Sequence, residues 1–402
     1  MIKFCCCWTS FLAIFMEQEP DDSMVSSEQE RHTEEEMVSL SSILPDELVT
    51  KILISLPVKS ICRFKVVSRP WQSLLSSSHF AITFSLSNTR SLFLQNNQMF
   101  FASAENINNP SSYTKTAFQH QDLTSMACHN GIACCLVKSI IQDGYFRRDS
   151  FFTVGNPLAQ KQFMGLPRLA FGVQKIFGFY FNPIDKKFKI LVGTRKNCSC
   201  LIFDSSIGRW RRPRNQPNFR IHTPWFMVCV GFTCYVLCNG ENERHLLALD
   251  METEEWEIIL TPTRLNDKDC SYRIHERDSC LCLIQVGPHS QEQAHAWLLT
   301  EGKKWVEVMN ADLTSLLFKK LGRLGVYDFF ASANLFIGDI LLIHIQNRRP
   351  VNFLSNTSVG ITYNTNNARL SEVIEDPNMS CVFLNRSSLF TAEKKNGEIH
   401  IG

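Results

Sequence analysis

The sequence predicts a multidomain chain: a small all-α unit of three short helices, then an all-β repeat domain of the propeller type. An incomplete propeller or a β-sandwich is the alternative for the second part. Three observations predict this. Apolar residues recur at helical spacing between residues 41 and 80. Beyond residue 85, short apolar runs alternate with polar turns. A turn followed by a tryptophan returns every 46–49 residues. A chain of 402 residues is also long for one compact core.

Residues 1–40 read as a disordered extension. Residues 17–36 hold nine acids and one base, so they carry −8 against a total of +2. The run has no aromatic residue and cannot bury enough apolar surface to order itself. The apolar stretch Phe4–Met16 is 13 residues, short of the roughly 18 needed to span a bilayer. It lacks a small-residue cleavage site before the acids. Nothing later is longer and apolar, so no membrane partner is expected.

Residues 41–80 carry the helices. Ser41 and Ser42 precede Leu44-Pro45, and Asp46 and Glu47 follow. A capping hydroxyl, an early proline and acids near the positive end all favour a helix start. Leu48, Val49, Ile52, Leu53 and Leu56 then form one apolar stripe, and Pro57 ends it. Ile61, Phe64 and Val67 mark a second helix; Pro70 is placed to open a third, with Trp71, Leu74 and Leu75. A unit of about 40 residues seldom stabilises itself. The economical expectation is that part of its apolar face belongs to another protein; the other reading is a three-helix subdomain packed on its own chain.

These residues resemble the F-box of plant F-box proteins. The likeness rests on Leu44-Pro45, Ile52-Leu53, Leu56-Pro57-Val58-Lys59-Ser60, Arg63-Phe64-Lys65, Val67-Ser68 and Trp71. Cys62 and Pro70 depart from the commonest pattern. The resemblance implies docking on a Skp-type adaptor and, through it, a cullin scaffold. The residues implied in adaptor contact are Leu44, Pro45, Leu48, Ile52, Leu53, Leu56, Pro57, Val58, Ile61 and Phe64.

From residue 85 to 402 many short strands at regular spacing indicate a sandwich, barrel or propeller. Asn156, Asp204 and Asp250 fall 48 and 46 residues apart; Trp210, Trp256 and Trp305 fall 46 and 49 apart. A period near 50 suits a kelch-like propeller blade. Asn or Asp fits the turn because its side chain bonds its own backbone. The three tryptophans are expected to be buried in equivalent places. Five units are legible. A sixth is expected to join Ser91–Phe101 to a C-terminal strand near Glu398–Ile401. This half resembles the F-box-associated domain of the same plant family: His129-Asn130-Gly131, Asn156-Pro157 with Leu166-Pro167, Gly178-Phe179 with Lys189-Ile190, and Ala248-Leu249-Asp250 with Glu255-Trp256.

Catalytic chemistry is not expected. There is no G-x-S-x-G, H-E-x-x-H, P-loop or G-x-G-x-x-G. The 16 cysteines include no C-x-x-C pair, so they read as buried thiols in a reducing compartment rather than zinc ligands. Neither cofactor nor metal is expected. Residues 186–220 hold ten bases and one acid. Arg209, Arg211, Arg212 and Arg214 form the densest part and read as an exposed basic edge. A solvated loop, contact with an acidic target and nuclear import are the readings open to it; nucleic acid is not the expected partner. The resemblance implies a non-catalytic specificity subunit of a ubiquitin ligase in cytoplasm or nucleus. Its helical unit holds the adaptor, and its repeat domain binds a target protein. An adaptor-bound regulator that does not degrade its target, and a propeller that senses a carbohydrate or other small ligand, are the alternatives.

Overall fold

The computed structural model describes residues 46–56, 58–87, 89–95, 98–102, 114–119, 123–140, 148–157, 163–169, 173–194, 200–215, 223–239, 244–262, 270–287, 293–313, 317, 329–347, 358–374, 379–386, 392–395 and 398–401. The chain divides into two compact units, residues 1–53 and 54–402. The acidic run and the first 16 residues lie outside the described residues.

Among the described residues, the first unit holds helix α1 (Asp46–Ile54) up to Leu53. The second begins with α2 (Val58–Phe64), α3 (Arg69–Ser76) and α4 (Ser78–Ser87). Ser68 caps α3 by accepting the Trp71 N–H at 3.4 Å, and Pro70 sits in the first turn. A proline there removes an N–H that has no helical partner anyway. Phe64 and Trp71 meet edge to face at 5.4 Å, joining α2 to α3. Helix α4 is one more helix than the sequence reading foresaw. Its Phe80 and Phe84 are buried and stack on each other. Ala81 belongs to a core cluster shared with the first two blades of the β domain.

Six four-stranded antiparallel sheets follow. Blade 1 is β4 (Leu123–His129), β5 (Ile132–Ile140), β6 (Arg148–Gly155) and β7 (Met164–Gly165). Blade 2 is β8 (Val173–Asn182), β9 (Lys187–Thr194), β10 (Cys200–Asp204) and β11 (Arg209–Arg211). Blade 3 is β12 (Thr223–Val230), β13 (Thr233–Asn239), β14 (Arg244–Asp250) and β15 (Trp256–Ile259). Blade 4 is β16 (Ser271–Arg277), β17 (Cys280–Val286), β18 (Gln293–Leu299) and β19 (Trp305–Asp312). Blade 5 is β20 (Phe329–Ile337), β21 (Ile340–Asn347), β22 (Ser358–Asn364) and β23 (Arg369–Ile374). Blade 6 joins the two ends of the domain: β24 (Met379–Arg386) pairs with β1 (Thr89–Gln95), which continues to β2 (Gln98–Ala102) and β3 (Thr114–Gln119).

The first strand of each blade adjoins that of the next, in the cycle β4, β8, β12, β16, β20, β24 and back to β4. The ring is therefore a closed six-bladed propeller, and the incomplete ring and the sandwich are set aside. Closure differs from expectation in one strand. Glu398–Ile401 (β26) forms a hairpin with Ala392–Lys395 (β25), while the longer and more apolar Met379–Arg386 closes the ring. Ring closure of this kind satisfies edges that would otherwise stay unpaired.

The core lies between blades. Side chains alternate across a strand, so one inner strand serves two interfaces. Cys234, Val236 and Cys238 of β13 pack toward blade 2, while Leu237 and Tyr235 pack toward blade 4. Cys282, Ile284 and Val286 of β17 pack toward blade 5, while Leu281 and Leu283 pack toward blade 3. Burial on both faces explains unbroken apolar runs such as CLCLIQV, and it explains the cysteines. Cys134 and Cys135 are buried on opposite faces of β5. Burial holds their thiols well above the ordinary range, so they act as small hydrophobes. No cluster of three or more metal-ligating side chains occurs among the described residues.

Candidate functional site

Helix α1 splits its apolar residues between two ridges. Leu48 and Ile52, four apart, are 45% and 38% exposed. Val49 and Leu53, also four apart, turn inward, and Leu53 is 2% exposed. Neighbouring residues on a helix are about 100° apart, so a continuous stripe in sequence supplies both a core ridge and an outer one. Ile61 on α2 is fully buried, and Leu56 and Phe64 are half-buried. Leu53 and Ile61 are therefore buried, whereas Leu48 and Ile52 are the exposed members of the expected contact set. Leu44, Pro45 and Pro57 lie outside the described residues, as does the side chain of Val58, which opens α2. The sequence reading did not single out Val66 as a surface residue, yet it is 86% exposed just past α2, beside exposed Val67.

On the propeller, matched turns build the seams between blades. Asp204, Asp250 and Asn364 each close a turn by accepting backbone N–H groups onto Oδ1, from Ser206 (3.0 Å), Glu252 (2.8 Å) and Asn366 (2.9 Å). The outer strand then restarts with a bulky side chain. Each tryptophan indole donates its Nε1–H to a carbonyl just beyond the previous blade's outer strand. Trp210 bonds Pro167 (2.8 Å), Trp256 bonds Asn215 (3.1 Å) and Trp305 bonds Leu260 (2.6 Å). Their places are equivalent, as expected, but they are half-buried rather than buried. A side chain on an outermost strand has a neighbour on one side only.

Imidazoles do the same work near the axis. The Phe181 N–H of blade 2 meets His129 Nδ1 of blade 1 at 3.1 Å, and the Phe336 N–H of blade 5 donates to His275 Nε2 of blade 4 at 3.1 Å. Burial first, then the nearby Arg277 and Arg273, depress the His275 pKa to about 3. The ring therefore stays neutral and keeps a lone pair to accept that bond.

The strongest electrostatic feature joins blades 2 and 3. The Glu254 carboxylate is 0% exposed. It accepts from Arg211 Nη1 (2.7 Å), the Arg214 N–H (2.7 Å) and Lys189 Nζ (3.1 Å), and Arg211 Nη2 also bonds it. Arg211 Nη2 reaches Asp204 as well, at 2.8 Å. Burial alone would raise the Glu254 pKa. The donors outweigh it and lower the pKa to about 2. Arg211 is thus corrected from a member of an exposed edge to an ion-paired clamp. Pairing removes the desolvation cost that makes a lone guanidinium hard to bury. Arg209, Arg212 and Arg214 are exposed, as expected.

The described elements thus comprise a short helical segment with an outer apolar ridge, followed by a six-bladed ring. Residues 83–326 match the family described as the F-box associated beta propeller domain. The chain belongs to that F-box-associated propeller family. Residues 41–83 match the F-box domain. An F-box protein of Arabidopsis thaliana is 33% identical over 171 residues, 40% of each chain. A second from the same plant is 25% identical over 271 residues, 61% of this chain and 72% of its own length. An F-box/LRR-repeat protein, again from Arabidopsis, is 25% identical over 323 residues, 70% of each. The expectation of an F-box followed by an F-box-associated propeller therefore holds, and such families typically act as non-catalytic adaptors.

Proposed function

We propose that this F-box protein is the substrate-recognition subunit of a Skp-cullin-F-box ubiquitin ligase. The observation that carries the reading is the outer ridge of α1, where Leu48 and Ile52 stand exposed inside the segment that matches the F-box. Two large aliphatic side chains partly open to water, four residues apart on one ridge, form a small apolar stripe that a partner can cover. An adaptor of the Skp type is that partner, and the cullin is reached through it. The propeller presents its loops to a target protein. The chain needs no catalytic group of its own in this role, because the ligase partners supply the ubiquitin chemistry. The proposed place of action is the cytoplasm or nucleus. Among the described residues no helix is long and apolar enough to cross a membrane.

The experiment is capture of partners by the tagged full chain with the proteasome blocked, beside a Leu48→Asp/Ile52→Asp variant. The expected result is a ubiquitinated partner with the wild type and the same partner without ubiquitin on the variant. A partner that carries no ubiquitin in either sample would contradict the reading and favour a regulator that does not degrade its target.

A further inference from the structure

We infer that Arg209, Arg212 and Arg214 form a preorganised docking edge for an acidic peptide segment of the target. The inference rests on the receptor reading above and names the chemistry that the receptor would select. The edge is rigid. The segment leaving β11 is pinned at four successive residues. The Arg212 carbonyl accepts from Arg211 Nη1 at 3.2 Å, Pro213 is buried, the Arg214 N–H is held by Glu254, and the Asn215 carbonyl accepts from Trp256. Arg211 anchors this backbone from beneath, while Arg209, Arg212 and Arg214 are exposed. A loop fixed before binding spares much of the ordering cost that weakens association.

The local charge favours an acidic partner. The acids near this edge are already engaged. Asp204 holds Ser206 and Arg211, and Glu254 holds Arg211, Lys189 and Arg214. In the adjoining turn Glu252 accepts from Tyr180 and Asn182, and on β15 Glu257 accepts from Lys303. Glu255 is left as the acid of that turn with no side-chain bond among the described contacts. The three exposed arginines likewise show no side-chain hydrogen bond or ion pair among those contacts. A planar guanidinium pairs well with a carboxylate, often through two parallel bonds. Arg209 lies in β11, Arg212 just past it and Arg214 where the chain bends, so three guanidinium groups within six residues can meet several carboxylates of one peptide.

The aromatic surroundings favour a peptide over a nucleic acid. Binding of single strands needs aromatic faces open to stack on bases. Trp210, the aromatic between these arginines, is not open. It lies against Phe203 and Phe152, with ring centroids 5.3 and 5.5 Å away, and its N–H is tied to Pro167.

The test uses fluorescein-labelled octaglutamate, an octaserine control and an oligouridylate of equal length. Each is titrated into the full chain at low and moderate salt, with fluorescence anisotropy as the readout. The variants are Arg209→Glu/Arg212→Glu/Arg214→Glu and the same triple change to Gln, with Arg211 untouched. The wild type should bind octaglutamate and not octaserine. Its affinity should weaken as salt shortens the Debye length to about 8 Å. The Glu triple variant should lose roughly tenfold or more in affinity and the Gln variant somewhat less. Equal binding by wild type and variants, no binding of octaglutamate at low salt, or tighter binding of oligouridylate that the variants lose would each overturn the inference. Failure of both variants to fold would assign the three side chains a structural role and overturn it too. Adaptor binding is measured on the same samples. Its persistence beside failed peptide binding would sink this inference and leave the receptor reading standing.

Discussion

Glu254 offers the sharpest test of how the blades are held together. Replacing it with Gln keeps the shape and removes the charge that Arg211, Lys189 and the Arg214 N–H converge on. The pKa of about 2, against an ordinary 4.5, corresponds to about 3 kcal/mol of stability contributed by the ionised group. The sign follows from the lowered pKa. The contribution is complete well above pH 4.5 and is lost as pH falls through about 2. Linkage with these two values removes about 1 kcal/mol by pH 4 and about 2 kcal/mol by pH 3. The assay is urea denaturation of the full chain and of Glu254→Gln across that range. The gap in unfolding free energy should be about 3 kcal/mol at pH 7 and should narrow steadily toward pH 3. A gap under about 1 kcal/mol at neutral pH, or one that does not change with pH, would refute the clamp.

Other expected outcomes rest on the same seams. Trp210→Phe, Trp256→Phe and Trp305→Phe should each lower stability by about 1–2 kcal/mol through loss of one inter-blade hydrogen bond and some packing. Three unchanged urea midpoints would mean the indoles do not tie blades together. A Cβ on Gly178 would lie 2.3 Å from Cys234 Sγ, so Gly178→Ala should cost about 1–3 kcal/mol. Adding Cys234→Ala should recover part of that loss, and a double variant that is merely the sum of its parts would show that the two sites do not touch.

Much of this fold was legible in the sequence because each blade repeats the same local physics. Asp204, Asp250 and Asn364 close their turns with their own side chains, a requirement that leaves a mark six residues ahead of each bulky restart. Apolar runs such as CLCLIQV were readable as strands because both of their faces are buried. Other features depend on pairing between distant residues. Glu254 and Arg211 are 43 residues apart, and either alone looks like a solvated charge. The ring is closed by Met379–Arg386 because of where β1 lies in space, and nothing in that octapeptide announces it. Helix α4 was hidden because SHFAITFSLS, rich in Phe, Ile and Thr, has the composition of a strand; packing overrides that preference. In α1 the apolar stripe was plain, but the division into a buried Leu53 ridge and an exposed Leu48/Ile52 ridge needed the three-dimensional surroundings.

The exposed ridge of α1 is proposed as the adaptor-binding surface. The most direct measurement is the affinity of the full chain for a purified Skp-type adaptor, compared with that of Leu48→Asp/Ile52→Asp. Both positions are exposed in the free chain, so the variant should keep its fold, checked by its urea midpoint. Losing anchors at the centre of an interface typically costs at least about 2 kcal/mol, or roughly thirtyfold in affinity. The wild type should bind tightly, and the folded variant should lose that much affinity or more. Equal affinity of the two proteins, or no binding by the wild type, would contradict it.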